Sequence, residues 1–217
     1  MPRVAVLVPM LGRPHAVEPL AQSLAESTDD ARILWLVTDT DRDVLAATRG
    51  MDRVTFKPRE RGDYAHKINV GYRETTEPYL FLAASDLHFH PGWLTVCFLK
   101  VKAGYQVVGT NDLGNKGTSR GTTSTHTLVA RTYADRRGTI DKKRQILHEG
   151  YWHEWCDTEF VQTAKFRNAY GHARGAKVEH LHWLWGKRER DAVDSDWEKR
   201  MAQGEKLYHS RRRLWTV

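Results

Sequence analysis

The stretch FLAASDLHFHPGWL, residues 81–94, runs from apolar and small side chains into one aspartate, Asp86, then two histidines, His88 and His90, and a Pro-Gly-Trp turn. It reads as the end of a buried strand, YLFLAA, that begins after Pro78 and stops at a carboxylate. Helical residues follow from Trp93 to about Lys102. A carboxylate at that point either caps the coming helix or faces a ligand. A cap accounts for Asp86 but not for His88 and His90, unless these are plain surface or packing histidines. A carboxylate with imidazoles near a strand end suits a borderline divalent ion such as Mn²⁺. Mg²⁺ would accept Asp86 together with diphosphate oxygens and waters.

Working outward, the same alternation of strand and helix recurs. Arg3 to Pro9 is a β-branched apolar run, and Pro14 opens a helix whose stripe is Val17, Leu20, Ala21 and Leu24, ending near Ser27. Residues 32–38 form a second buried run that ends at Asp39, Asp41 and Asp43. A short strand spans 53–56, and a loop with Pro58 and Gly62 spans 57–63. Tyr64, Ile68 and Tyr72 recur every four residues, a helix carrying Lys67 and Asn69 on other faces. Beyond Lys102 the pattern predicts a strand at 105–109, a long polar loop at 111–124 and a strand at 125–130. A polar, flexible excursion at 135–145, a helix at 154–167, a strand at 176–180 and a charged helix or tail at 191–213 complete it. This order predicts a parallel sheet with crossover helices. Ligands of such sheets sit beyond the carboxyl ends of the strands, where Asp39 and Asp86 converge.

The chain has 217 residues, 40% of them hydrophobic, enough for one domain with a sizeable core. That composition excludes a wholly disordered chain. No run approaches 18 apolar residues, so no membrane insertion is expected. MPRVAVLVPM lacks the apolar core and cleavage site of a secretory signal and reads as a first strand. Cys97 and Cys156 are the only cysteines and sit outside any CxxC pattern, which points to a reducing, cytoplasmic setting. A net charge of +7 suits an anionic partner such as a nucleotide, a diphosphate or nucleic acid, or simply a soluble surface. Neither GxxxxGK[ST] nor GxGxxG follows the first strand; PMLGRP stands there instead, which disfavours a glycine-rich phosphate cradle.

The motifs VAVLVPMLGRP, GDYAHKINVGYRETTEPYLFLAASDLHFHPGWL, VVGTNDLGN, HEGYWHEWCDTEFVQTAK and VEHLHWLWGK occur in this order over residues 3–190. In order and spacing the chain resembles the family 2 nucleotide-sugar glycosyltransferases of the GT-A fold, especially short single-domain members from actinobacteria and their phages. The resemblance implies an α/β fold: a three-layer α/β/α domain with a mixed, largely parallel central sheet over 1–190. Residues 191–217 would form a charged C-terminal helix or tail, packed on or extending from the same domain. It implies a nucleotide-sugar donor, UDP being the family's usual carrier, and a divalent cation, Mn²⁺ or Mg²⁺. Pro9, Asp39, Lys67 and Asp86 would bind the donor, Asp86 and His180 would hold the metal, and Asp157 would be the catalytic base. Ala84 and Ser85 depart from the family, which usually carries a further carboxylate there, and His182 competes with His180 as ligand.

The physical roles are coherent. An acceptor hydroxyl needs a base, worth roughly 10²–10⁴-fold, and a base opposite the leaving group gives inversion. Asp157 is alternatively a plain helix N-terminal acid. Asn111 and Asp112, and Trp152, Glu154 and Trp155 in HEGYWHEWCDTEF, would contact the acceptor, or the latter three belong to a packed aromatic cluster. Lys187, Arg188, Arg190 and Arg211 to Arg213 follow a nucleic-acid backbone in one reading and form a solvated helix face in the other. Rival readings are a non-catalytic basic nucleic-acid-binding module and a nucleotidyltransferase on a related sheet.

Overall fold

Strand β1 (Val4–Pro9) is buried on both faces, and its alternation assigns those faces. Val4, Val6 and Val8 enter one hydrophobic cluster, while Ala5 and Leu7 enter another. A strand at the centre of a sheet covered by helices on both sides has this pattern. The computed structural model describes residues 3–59 and 63–216; Gly62, read as part of the 57–63 loop, lies outside them.

Strands β2 (Ala31–Thr38), β3 (Arg53–Phe56) and β4 (Tyr79–Leu82) join β1 in parallel. Strand β5 (Leu87–Phe89) follows β4 in the chain, and β6 (Val107–Asp112), β7 (Thr127–Ala130) and β8 (Tyr170–His180) complete the sheet, in the order β3-β2-β1-β4-β7-β6-β8-β5. Only β7 and β5 pair antiparallel to their neighbours, so the sheet is mixed and largely parallel. Helices α1 (Val17–Ser27), α2 (Arg42–Ala47) and α4 (Trp93–Lys102) pack the Val4 face; α3 (Tyr64–Arg73), α6 (Arg131–Arg136) and α7 (Cys156–Phe166) pack the Leu7 face. Gly71 lets α3 settle closely on the sheet, because a Cβ there would stand 3.0 Å from Leu7 and 3.1 Å from Leu36. A short α5 (Lys116–Ser119) and the C-terminal α8 (Trp197–Arg211) finish the fold.

Several expectations need correcting. Residues 87–89 form a strand, too short to leave a period in the sequence. Strand β6 ends at Asp112, so Asn111 and Asp112 are buried strand residues and not a turn. The excursion at 135–145 begins inside α6, and Thr139 and Gln145 are buried. Strand β8 begins at Tyr170, six residues before Ala176. Lys67 and Asn69, on faces of α3 other than the Tyr64–Ile68–Tyr72 stripe, are also both fully buried. The amide of Asn69 accounts for this: its oxygen accepts from the N–H groups of Ile146 and Leu147, at 2.9 and 3.1 Å, and its nitrogen donates to the Leu147 carbonyl at 2.8 Å.

Helix α8 lies against α7. Arg211 donates to Glu159 and to Asp141, Arg200 to Glu154, and the Trp155 and Tyr208 rings sit 5.1 Å apart. No helix among the described residues is long and apolar enough to cross a membrane.

Candidate active site

Asp86 does not cap a helix; Gly92 holds that position for α4. The chain instead passes from Asp86 directly into β5, which pairs antiparallel with the end of β8, Leu87 opposite His180. The Asp86 carbonyl also accepts from the Leu181 N–H at 2.8 Å. This pairing sets Oδ1 of Asp86 2.9 Å from Nε2 of His180. His88 and His90 point elsewhere: His88 is exposed, and His90 lies 3.5 Å from Glu179.

Asp86 is buried and heavily compensated. Its Oδ2 accepts from Arg13 Nη1 at 3.0 Å and from Arg188 Nε at 3.4 Å. Arg13 also donates to Asp191 at 2.8 Å and to Asp194 at 3.0 Å, and Arg188 to Asp194 at 2.6 Å. Burial alone would raise the Asp86 pKa; His180 first, then Arg13 and Arg188, overcome it and hold the carboxylate well below its usual range. Burial would lower the pKa of His180, but Asp86 and then Asp112 turn the shift upward.

A second group stands behind His180. A register shift in the β6–β8 pairing sets Asp112 opposite Val178, and Oδ1 of Asp112 accepts from the His180 N–H at 2.9 Å. Ligand atoms of Asp112, His126 and His180 lie within 4.8 Å of one another. Nδ1 of His126 lies 3.3 Å from the Leu82 carbonyl, which fixes the ring as an Nδ1–H donor and leaves Nε2 as a buried lone pair with no hydrogen bond. Burial, followed by repulsion from His180, lowers the His126 pKa to about 3, so the ring is neutral. Oδ1 of Asp86 is likewise buried without a well-directed hydrogen bond, despite its short approach to His180. One unpaired imidazole nitrogen, on His126, beside the carboxylates of Asp86 and Asp112 and the ring of His180 fits a divalent cation, with nitrogen ligands favouring a transition ion over Mg²⁺.

Three cavities follow one another along this edge of the sheet. The first, about 140 Å³, is lined by Pro9, Arg13, Asp63, Asp86, His180 and Arg200, among others. The second, about 650 Å³, adjoins it through Leu11, Asp63, Val193 and Arg200 and takes in Thr38, Thr40, Asp41 and Trp152. The third, about 310 Å³, adjoins the first through Glu154, His180 and His182 and contains Asp157, Trp155, Trp185 and Trp197. Asp157 sits in the first turn of α7 and accepts from the Thr158 N–H at 2.7 Å. Burial, with Glu154 adding to it, raises its pKa to about 6. Trp155, the residue before α7, has φ 71, a left-handed conformation uncommon for a tryptophan.

The residues singled out in the sequence therefore divide. Pro9, Asp86, His180, Glu154, Trp155 and Asp157 line the first and third cavities, and Trp152 lines the second. Asp39 is half-buried and pairs with Lys57 at 2.7 Å. The Lys67 ammonium is spent beneath the crevice, on the Met10 carbonyl at 2.9 Å, Thr38 at 2.8 Å and Asp63 at 3.2 Å. Asn111 donates to the Arg174 carbonyl at 3.1 Å, and Asp112 supports His180. Sequence reading missed Arg13, His126 and Asp194. Arg13 stands four residues beyond the first strand in PMLGRP, and His126 alternates with buried Leu128 in THTLVA; both patterns are visible only in retrospect, because their partners are remote in the chain.

No protein-family model matches the sequence, and no curated protein matches it. Solved structures do. The mannosyltransferase PcManGT of Pyrobaculum calidifontis, in complex with GDP-Man and Mn²⁺, aligns with TM-score 0.62 at 14% identity over 98% of this chain and 70% of that one. Glucosyl-3-phosphoglycerate synthase of Mycobacterium tuberculosis, in complex with Mn²⁺, UDP and glucosyl-3-phosphoglycerate, aligns with TM-score 0.62 at 14% identity over 97% and 80%. TarS of S. aureus aligns with TM-score 0.63 at 11% identity over 96% of this chain and 39% of that one. With its mixed eight-stranded sheet between two helical layers, the chain has the GT-A glycosyltransferase fold.

Proposed function

We propose that this chain is a glycosyltransferase that moves a sugar from a nucleoside diphosphate sugar, a UDP-sugar foremost, to an acceptor hydroxyl with inversion. The observation that carries the reading is that His180 borders both the cavity holding Asp86 and the cavity holding Asp157. A cation-handling wall and a carboxylate of raised pKa thus face adjoining spaces. The solved structures of this fold with bound Mn²⁺ and UDP or GDP-Man support the same assignment.

Asp86 and His180 would hold a divalent cation, with Asp112 and His126 behind them. A cation held by these residues would supply charge neutralisation for a departing diphosphate. The wide second cavity, at the ends of β1 and β2, receives the nucleoside. Asp157 takes the proton of the acceptor hydroxyl from the other side. With a pKa near 6 it is ionised at neutral pH and still basic enough to accept a proton.

The test is thermal stabilisation by UDP, GDP and other nucleoside diphosphates, with and without Mn²⁺, followed by mass spectrometry of donor turnover. A ligand at 100 times its Kd adds about 2.7 kcal/mol to stability. A rise in midpoint with one nucleotide, larger with Mn²⁺, is expected; no rise with any nucleotide overturns the donor site.

A further inference from the structure

The cavity beside Asp157 has a chemistry of its own. Its walls carry three indoles, Trp155, Trp185 and Trp197, with Leu184 and Met201, and no lysine or arginine lines it. Its two carboxylates, Glu154 and Asp157, repel anions, and only Glu154 has a cationic partner, Arg200 at 3.3 Å. Lys165, near the Thr123 rim, spends its ammonium on the carbonyls of Gly121 and Thr122 at 3.1 and 2.8 Å. Trp185 and Leu184 keep 36% and 42% of their surface exposed, so large apolar faces stand open at the mouth. The Trp185 side chain is seated over Gly114, where a Cβ would stand 3.3 Å from its Cβ and 3.5 Å from its ring, and Trp197 packs edge-on to Trp183 at 5.5 Å. The aromatic wall is therefore fixed in place. Trp155 is held in a strained backbone conformation directly before the helix that carries Asp157, and such strain clusters at ligand sites.

We infer that the acceptor is an uncharged, hydroxyl-bearing sugar ring, a neutral glycoside, stacked on this indole wall with one hydroxyl toward Asp157; this rests on the glycosyl-transfer reading above. Three features favour that class. A cavity of about 310 Å³ lies at the small end of ligand pockets, which span roughly 300–1,000 Å³. The C–H face of a sugar ring packs on an indole, while Asp157, Thr158, Thr125 and Asn115 offer partners for its hydroxyls. A phosphorylated or carboxylated acceptor would enter a space with two carboxylates and no lining lysine or arginine, where the His180 ring is already paired with Asp86. A nucleic-acid acceptor would need a basic track, yet Lys187, Arg188, Arg190 and Arg211 are all engaged by acidic groups of this chain.

The experiment is saturation-transfer NMR on the full chain with UDP and Mn²⁺ present, using methyl and aryl pyranosides, 3-phosphoglycerate, a hexose phosphate and a DNA oligonucleotide as probes. Neutral pyranosides are expected to bind. Trp185→Ala is expected to weaken them about tenfold, Trp185→Phe to restore most of that, and neither to alter stabilisation by UDP. Because Trp185 lies at the surface, both variants are expected to fold. Tighter binding of the anionic probes or of DNA overturns the proposal. So does a protein that binds UDP but no neutral glycoside, and this result leaves the donor site standing. Failure to bind either UDP or glycoside removes both readings.

Discussion

His180 Nε2 lies 2.9 Å from Asp86 Oδ1 because a three-residue strand, β5, pairs with the end of β8 at the edge of the sheet. The contact joins the carboxylate to a network that runs through Arg13 and Arg188 to Asp194 in the C-terminal segment. The carboxylate proposed as a metal ligand thus also anchors that segment.

Asp86→Asn is expected to lower stability by about 3 kcal/mol in urea unfolding, because buried Arg13 and half-buried Arg188 lose one of the two buried carboxylates they share, the other being Asp194. Asp191, at the outer edge of the network with 36% of its side chain exposed, gives the control: Asp191→Asn is expected to cost less than about 1 kcal/mol. In Asp86→Asn the extra nucleotide stabilisation given by Mn²⁺ is expected to disappear. A variant that keeps both wild-type stability and the Mn²⁺ effect would remove Asp86 from the site.

The pKa of about 6 at Asp157 gives two opposite outcomes for one substitution. Transfer is expected to rise with pH through about 6 and level off above 7, as the base ionises. Asp157→Asn should lose at least 10²-fold in turnover while keeping stabilisation by UDP. The raised pKa also means that the folded protein binds the proton more tightly than the unfolded chain. Stability therefore falls as pH rises from about 4 to about 6. At pH 8 Asp157→Asn should be the more stable protein, by about 1–2 kcal/mol. Equal midpoints at pH 8, with turnover retained, would place Asp157 outside the chemistry.

The sheet and most of its helices were legible because two-sided burial leaves long apolar runs, as in Val4–Pro9, and because α3 repeats an apolar residue every four positions. Asp86 stood out because a carboxylate ends an otherwise apolar run, and Asp157 through the family resemblance of the CDTEF stretch. Other parts of the site were not legible. His126 and Asp112 depend on the β6–β8 register shift, which no local pattern encodes. Arg13 meets Asp86, Asp191 and Asp194 only through tertiary packing. Lys67 was visible as a cation, but a buried amine beneath strands β1 and β2 has the same local sequence as one facing a ligand.

His126 makes the acid side of the stability curve testable. Its folded pKa, about 3, lies below the unfolded value near 6.5. The unfolded chain therefore takes up the proton first, and stability is lost as pH falls below about 6.5. Between pH 6.5 and 5 the loss should reach about 2 kcal/mol. His126→Gln is expected to flatten that decline and to weaken Mn²⁺ binding measured by calorimetry. A variant with the same pH slope as the wild type would mean that the ring is solvated and able to charge.

Arg211 tests whether the C-terminal helix belongs to the folded domain. Its guanidinium reaches Glu159 at 2.7 and 3.0 Å and Asp141 at 2.8 and 3.0 Å, and the Glu159 carboxylate also accepts from the Tyr151 hydroxyl at 2.6 Å. Removing the arginine leaves Glu159, with 4% of its side chain exposed, as a buried charge without its cation. Arg211→Ala is expected to cost about 3 kcal/mol and to speed amide exchange along Trp197–Arg211. Arg211→Lys keeps the charge but not the planar fork and should fall between the two. Arg212 and Arg213 are exposed, and their alanine variants should stay within about 0.5 kcal/mol of wild type. An Arg211→Ala protein with unchanged stability and exchange would show that α8 is not held by this pair, and would free the arginine for an outside partner such as nucleic acid.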